Sequence, residues 1–283
     1  MRALGWIEGQ DYIVIQSGIG IEVGSRGPLD EVAQGVVANK PDLICTRSTS
    51  FALAAQRATK SIPIVMLTSG YPVEAGAADS LAKPGRNVTG NSIYAEMGVW
   101  GKMLQLLREA KPDIKRVGIL WTYVMPAFPK EEIEPGYAEI NNAARSLDLD
   151  LGIVEVANFD KVQTAFAEID EWKPDGLLLT SNFGSSMSAV TQFAVDKKLP
   201  TVVDFDWTRF ALPHPLLCYG PLNRELVQSA AASIDKILRG ASPSDLPIQR
   251  PSRFELVVSL ITAKAIGLDL PPSLLARADR VIE

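Results

Sequence analysis

Short runs rich in Val and Ile alternate along the chain with longer stretches whose apolar residues recur every three or four positions. The short runs predict strands at residues 12–16, 42–46, 62–67, 117–121, 151–156, 176–180 and 201–205. The longer ones predict helices at 29–39, 51–59, 99–110, 139–147, 162–172 and 186–197. Strands of five or six residues separated by helices read as parallel sheets covered on both faces. Several of these strands are continuously apolar, as burial on both faces requires. Toward the end, a helix stops at Gly240, a Pro/Ser/Asp linker runs to Pro247 and a strand follows at 254–259. A short helix then ends at Gly267, and Pro271 and Pro272 open a final turn.

The pattern runs twice. Lys111-Pro-Asp-Ile-Lys-Arg116 is a polar break before the fresh strand Val117-Gly-Ile-Leu-Trp121. We therefore expect two doubly wound α/β lobes, with a first crossing between them near residues 91–115. The apolar segment 216–220 crosses back, a helix over 222–238 rejoins the first lobe, and the linker at 242–247 leads to a third crossing. The expected division is 1–92 plus 220–248 for the N-terminal lobe and 93–219 plus 249–283 for the C-terminal lobe. No low-complexity tract or repeat of solenoid length interrupts this scheme.

Composition agrees with two cores: the chain has 283 residues, 47% of them hydrophobic. A net charge of −5, with both signs spread along the chain, asks for no nucleic-acid or anionic-membrane partner. No apolar run approaches the roughly 20 residues that span a bilayer, and no signal-peptide pattern opens the chain. The two cysteines, Cys45 and Cys218, read as separate buried thiols, with a disulfide as the alternative. One histidine, His214 between two prolines, and two distant cysteines offer no metal-ligand spacing.

Ligands of open parallel sheets bind beyond the carboxyl ends of strands, so those loops are the candidates. After the second predicted strand comes Thr46-Arg-Ser-Thr-Ser50. Ser48 and Thr49 at a helix start, beside the permanent charge of Arg47, make an anion site; an ordinary helix cap with a solvated Arg explains the same residues. In Thr68-Ser-Gly-Tyr-Pro72, a turn presents Ser69 or Tyr71, or is simply a turn. Asn91, in Asn87-Val-Thr-Gly-Asn-Ser92, reaches a ligand or holds the hinge. The second lobe offers Trp121 and Tyr123, Asn182 and Phe183, and Asp204, Asp206 and Trp207. Each aromatic alone reads as core; their clustering at one sheet edge suits a ligand with a flat apolar part. Asp204 and Asp206 suit a ligand amine or hydroxyl; two nearby acids also fit acid/base chemistry, and carboxylates at strand ends often only cap helices. Dinucleotide, Walker, nucleophile-elbow and zinc-protease motifs are absent, so neither a cofactor nor catalysis is expected.

Further wording points the same way. Leu4-Gly-Trp-Ile-Glu-Gly-Gln10, Pro41-Asp-Leu-Ile44, Ala54-Ala-Gln-Arg-Ala-Thr59, Ile62-Pro-Ile-Val65, Leu81-Ala-Lys-Pro-Gly-Arg-Asn-Val-Thr-Gly90, Tyr219-Gly-Pro221 and the tail resemble one family of ABC-transporter substrate-binding proteins. That family includes tryptophan- and tyrosine-type binding lipoproteins. The resemblance implies a type I periplasmic-binding fold with a three-crossing hinge and a ligand cleft between lobes. It also implies delivery of a small organic ligand to a membrane permease, and a periplasmic or extracytoplasmic location. By motif it carries Ser48, Thr49, Ser69 and Asn91 into the cleft. Tyr71 stands where the family often has Asp, which argues against a ligand amine there. Arg47 with the aromatics points to an aromatic or apolar carboxylate, amino acids included.

The resemblance also implies that a strand and helix preceding Leu4 are missing from this sequence. The strand at 12–16 would then lack its ladder partner, lowering stability or recruiting a strand from a neighbour; otherwise a monomer is expected. Two other classes share such a scaffold: the effector-binding domain of a transcriptional regulator, and an enzyme.

Overall fold

The computed structural model describes residues 1–16, 29–93, 98–122, 130–156 and 161–283. The chain divides into two compact units. The first comprises Met1–Ala95, Ala127–Pro135 and Leu222–Ser252; the second comprises Glu96–Pro126, Gly136–Pro221 and Arg253–Glu283. Elements are numbered along the whole chain.

The first unit holds a parallel sheet in the order β1 (Ile44–Thr46), β2 (Ile64–Ser69), β3 (Val88–Ser92). Alternation along β1 assigns the two faces. Ile44 packs with Ala52 and Ala55 of α2 (Thr49–Ala58), whereas Leu43 packs with Ala230 and Ile237 of α7 (Asn223–Leu238). The sheet is therefore covered on both faces, and α1 (Leu29–Ala38) lies alongside α2. Val65 and Met66 are fully buried on opposite faces, which explains the continuous apolar run read there.

The second unit holds a larger mixed sheet. Its strands are β4 (Arg116–Thr122), β5 (Asp150–Val156), β6 (Gly176–Leu179), β7 (Thr201–Val203), β8 (Leu217–Pro221), β9 (Phe254–Ser259) and β10 (Arg280–Ile282). The order is β10-β9-β8-β7-β6-β4-β5, with β8 and β9 antiparallel and every other neighbour parallel. Its helices are α3 (Val99–Ala110), α4 (Lys130–Ser146), α5 (Val162–Glu171), α6 (Met187–Asp196), α8 (Leu260–Ile266) and α9 (Pro272–Leu275). The main core joins Leu120, Val154, Phe166, Leu177, Leu179, Val203 and Val257. Gly118, Gly152 and Gly176 lie in the sheet where a Cβ would strike Ile169, Trp172 and Ile114 respectively, so the overlying side chains sit directly on the strands.

Four expectations change. Residues 12–16 are not a strand: apart from a bridge between Glu8 and Tyr12, they make no ladder among the described residues, and a strand without a partner has nothing to fix it. Residues 88–92, read as a polar loop, form β3. There the cross-strand pairing with β2, which keeps Met66 beside Gly90 and shifts register between Met66 and Ser69, outweighs the poor local strand propensity of Gly and Asn. Helix α4 begins at Lys130, well before residue 139, and continues through Pro135, a residue that reads locally as a breaker. The second sheet is also mixed, because β9 turns back beside β8.

Candidate functional site

At the carboxyl edge of the first sheet, β1 runs into Arg47 and the Ser48 cap of α2. The Ser48 Oγ accepts from the Phe51 N–H at 3.4 Å. Beneath the cap, the hydroxyls of Thr49 and Ser69 meet at 2.5 Å, both fully buried. Thr68 donates its hydroxyl hydrogen to the Arg47 carbonyl, tying the end of β2 to the loop. The Arg47 side chain is exposed and has no ion-pair partner among the described residues. Thr46 shares the α2 face with Ile44. Its hydroxyl is buried and finds no hydrogen-bond partner among the described residues. A helix start lined with hydroxyls beside an unpaired guanidinium can accept a carboxylate.

Neighbouring loops are held by the same chemistry. The Ser69 carbonyl accepts from Ile93 N–H at 2.7 Å, and the Ser92 hydroxyl donates to the Gly70 carbonyl at 3.0 Å. Asn91 is wholly buried, its amide donating to the carbonyls of Leu67 at 2.9 Å and Leu226 at 2.8 Å. The structure thus gathers Arg47, Ser48, Thr49, Ser69 and, through β3, Asn91 at one sheet edge, with Asn91 acting as a brace between β2 and α7. Tyr71, just past Ser69, is buried.

In the second unit the candidate residues are deeper. Trp121, at the end of β4, is sandwiched between Trp100 at 5.4 Å and Tyr137 at 4.6 Å between ring centroids. Phe183 is fully buried in the main core. Asp204 is buried after β7, and its neighbour Asp206 is committed: it accepts from the N–H and hydroxyl of Thr208, at 3.1 and 2.6 Å, and pairs with Arg280. Trp207 packs against the main core, edge-on to Phe205 and Phe210, each with centroids 6.0 Å away. Its indole N–H is buried with no partner among the described residues. Tyr123 lies outside the described residues, as does the side chain of Asn182.

Both cysteines are free, Cys45 exposed and Cys218 buried, and burial pushes the Cys218 thiol up to about 12, so it stays a thiol. No group of His, Cys, Asp and Glu among the described residues has metal-binding geometry. His214 faces the Ala211 carbonyl through Nδ1 at 3.0 Å. Sequence reasoning passed over Thr46, Thr68 and Arg280. The strand alternation that put Ile44 in the core carried the signal for Thr46. Arg280 had none, because its partner Asp206 is 74 residues away.

Comparison with known proteins adds the following. A family model described as "ABC transporter substrate binding protein" matches residues 23–282. The tyrosine-binding protein of Clostridioides difficile (strain R20291) is 30% identical over 243 residues, 84% of this chain and 66% of that relative, so the chain spans just under two thirds of its length. A conserved domain protein from Vibrio cholerae O1 biovar eltor superposes with a TM-score of 0.84 at 24% identity, covering 99% of this chain and 90% of that one. The ABC domain from Streptococcus pneumonia in complex with L-Trp gives 0.78 at 23% identity, covering 90% and 85%. These likenesses establish the two-lobed, doubly wound α/β architecture of type I periplasmic binding proteins.

Proposed function

This chain belongs to the family of ABC transporter substrate-binding proteins, and from that premise we propose that it is the solute-binding component of an ABC importer that takes a small aromatic or apolar carboxylate. The family is one of binding proteins, not of catalysts, and its members are periplasmic or extracytoplasmic, as this one is by membership. The membrane permease is its proposed partner.

The ligand class rests on one observation: the buried Thr49–Ser69 hydroxyl pair under the Ser48 cap of α2, flanked by exposed Arg47, which has no ion-pair partner among the described residues. In this reading Arg47 and the start of α2 hold the carboxylate. Similarity to a tyrosine-binding protein and to a domain solved with L-Trp supports an aromatic body. Trp121, Phe183 and Trp207 already pack against protein, so in this proposal they shape the second unit's strand ends instead of offering free ring faces. Tyr71, Asn91, Asn182, Asp204 and Asp206 remain proposed lining residues, with Asp206 acting only through its pair with Arg280.

The test begins with a thermal-shift screen of amino acids and their deaminated aromatic acids. Calorimetry of each stabilising compound against Arg47→Ala follows. A charge-assisted bond from Arg47 predicts a loss of about 1.5–3 kcal/mol, or roughly 10- to 150-fold in Kd. Phenylpropionate is expected to bind alongside phenylalanine, because no acid stands at Tyr71 to pair with an amine. Equal affinity of wild type and Arg47→Ala for every carboxylate would reject the role of Arg47. Binding of amines alone would reject the ligand class.

A further inference from the structure

The amino end of the first unit's sheet carries a second cluster of polar chemistry. Gln56 in the last turn of α2, Lys60 just after it, and Arg86 and Asn87 just before β3 line one cavity of about 240 Å³. All four residues belong to the first unit. The Thr49–Ser69 pair lies at the other end of the strands, roughly 17 Å away along β2 at about 3.3 Å per residue.

Each polar side chain there is oriented by backbone carbonyls. Gln56 is 6% exposed and donates its amide to the Ala77 carbonyl at 2.9 Å. Asn87 donates its amide to the carbonyls of Thr59 at 3.2 Å and Ile62 at 2.9 Å. With the NH₂ groups committed, Gln56 Oε1 and Asn87 Oδ1 are left as acceptors without partners among the described residues. Lys60 Nζ donates to the Gln56 backbone carbonyl at 2.6 Å and forms no ion pair among the described residues, so two of its hydrogens remain. Arg86 is fixed through Nε on Asp79 at 3.1 Å and Nη1 on the Gly76 carbonyl at 2.5 Å, which leaves Nη2 over. Asp79 offsets one of the two cations, and the negative end of α2 draws on Lys60. The surplus charge therefore suits an anion of low charge. An anion that only accepts hydrogen bonds would leave the two amide oxygens unmet; one that carries its own hydroxyl serves both.

We propose that this cavity is a second binding site, for a small oxyanion that bears a hydroxyl group: phosphate or a short hydroxy acid. The charged oxygens meet Lys60 and Arg86 Nη2, and the ligand O–H donates to Gln56 Oε1 or Asn87 Oδ1.

The site does not depend on the carboxylate proposed at the β1–α2 loop, and the experiment keeps the two apart. Inorganic phosphate, glycolate and sulfate are titrated separately into the 283-residue chain at neutral pH and constant ionic strength, followed by calorimetry and by nuclear magnetic resonance. Phosphate or glycolate is expected to bind, and the tighter of the two identifies the source of the oxyanion. Sulfate, which has no O–H at neutral pH, should bind about tenfold or more weakly than phosphate if phosphate is the ligand. The side-chain amide signals of Gln56 and Asn87 should shift with the bound fraction, a readout that needs no substitution. Lys60→Gln, at an exposed position, should keep the wild-type circular dichroism and weaken binding by about tenfold or more. Arg47→Ala should leave this binding unchanged. The proposal is overturned if neither phosphate nor glycolate binds, if both amide signals stay still, or if Lys60→Gln binds as wild type does. Sulfate binding as tightly as phosphate and glycolate would remove the role of the amide oxygens and overturn it too. Loss of binding in Arg47→Ala alone would place the anion at the β1–α2 loop instead.

Discussion

Gly90 shows how one residue supports the candidate site from below. It sits at φ +128°, and a Cβ there would lie 2.1 Å from the Met66 carbonyl oxygen. Backbone strain and collision with β2 therefore act together, at the pairing with Met66 just before β2 shifts register opposite Asn91 and Ser92. Gly90→Ala is expected to cost about 3 kcal/mol or more in urea unfolding. Gly240 is the contrast: φ is +100° but nothing lies within 4 Å of its Cβ position, so Gly240→Ala should cost only about 1 kcal/mol. Equal costs would mean that the close approach at β2 is absent in solution. Nothing in the sequence near Gly90 announces that approach, because Met66 is on another strand. Ser48 and Thr49 were readable for the opposite reason: a cap and its helix are local.

At the scale of elements, β4 is held at its start by Asp175, which precedes β6. Its carboxylate accepts from the backbone N–H groups of Lys115 at 2.9 Å and Arg116 at 2.8 Å. Burial works against the ionised form. The two N–H bonds and the nearby charges of Lys111 and Arg116 outweigh it and hold the carboxyl below the ordinary carboxylate value. A depressed folded pKa contributes stability that is present above the unfolded value, near pH 4, and is lost as pH falls through the lower folded value. Asp175→Asn should therefore be less stable than wild type at neutral pH, with the gap closing below about pH 4. A gap independent of pH in denaturation series would refute the charge contribution. Strand–helix alternation was legible for β1, β2 and β4 through β7, where each element contains its own apolar period. Two cases escaped for one reason. Strand β3 exists because β2 is beside it, and residues 12–16, strand-like in composition, have no strand beside them among the described residues. Periodicity reports what a segment can bury; pairing decides whether it does.

For the whole molecule, the difference between the two units predicts the order of unfolding. Among the described residues, the first has three strands and small apolar clusters around Ile64 and around Val65. The second has seven strands and a continuous cluster from Leu120 to Val257. Each unit has its own core, so a single cooperative transition is not expected. Calorimetry should resolve two steps, the first unit melting at the lower temperature. Core truncations assign them. Ile64→Ala, fully buried in the first unit, removes about 2–5 kcal/mol and should lower only the first step. Leu177→Ala, fully buried in the second, should lower only the second. A carboxylate ligand at about a hundred times its Kd adds about 2.7 kcal/mol to the form that binds it. With Arg47, Ser48 and Thr49 holding that carboxylate, the step lowered by Ile64→Ala is the one the ligand should raise, and Arg47→Ala should abolish the rise without moving the unliganded midpoint. If the ligand raises only the step assigned by Leu177→Ala, recognition lies on the second unit, and the role given to the β1–α2 loop is wrong.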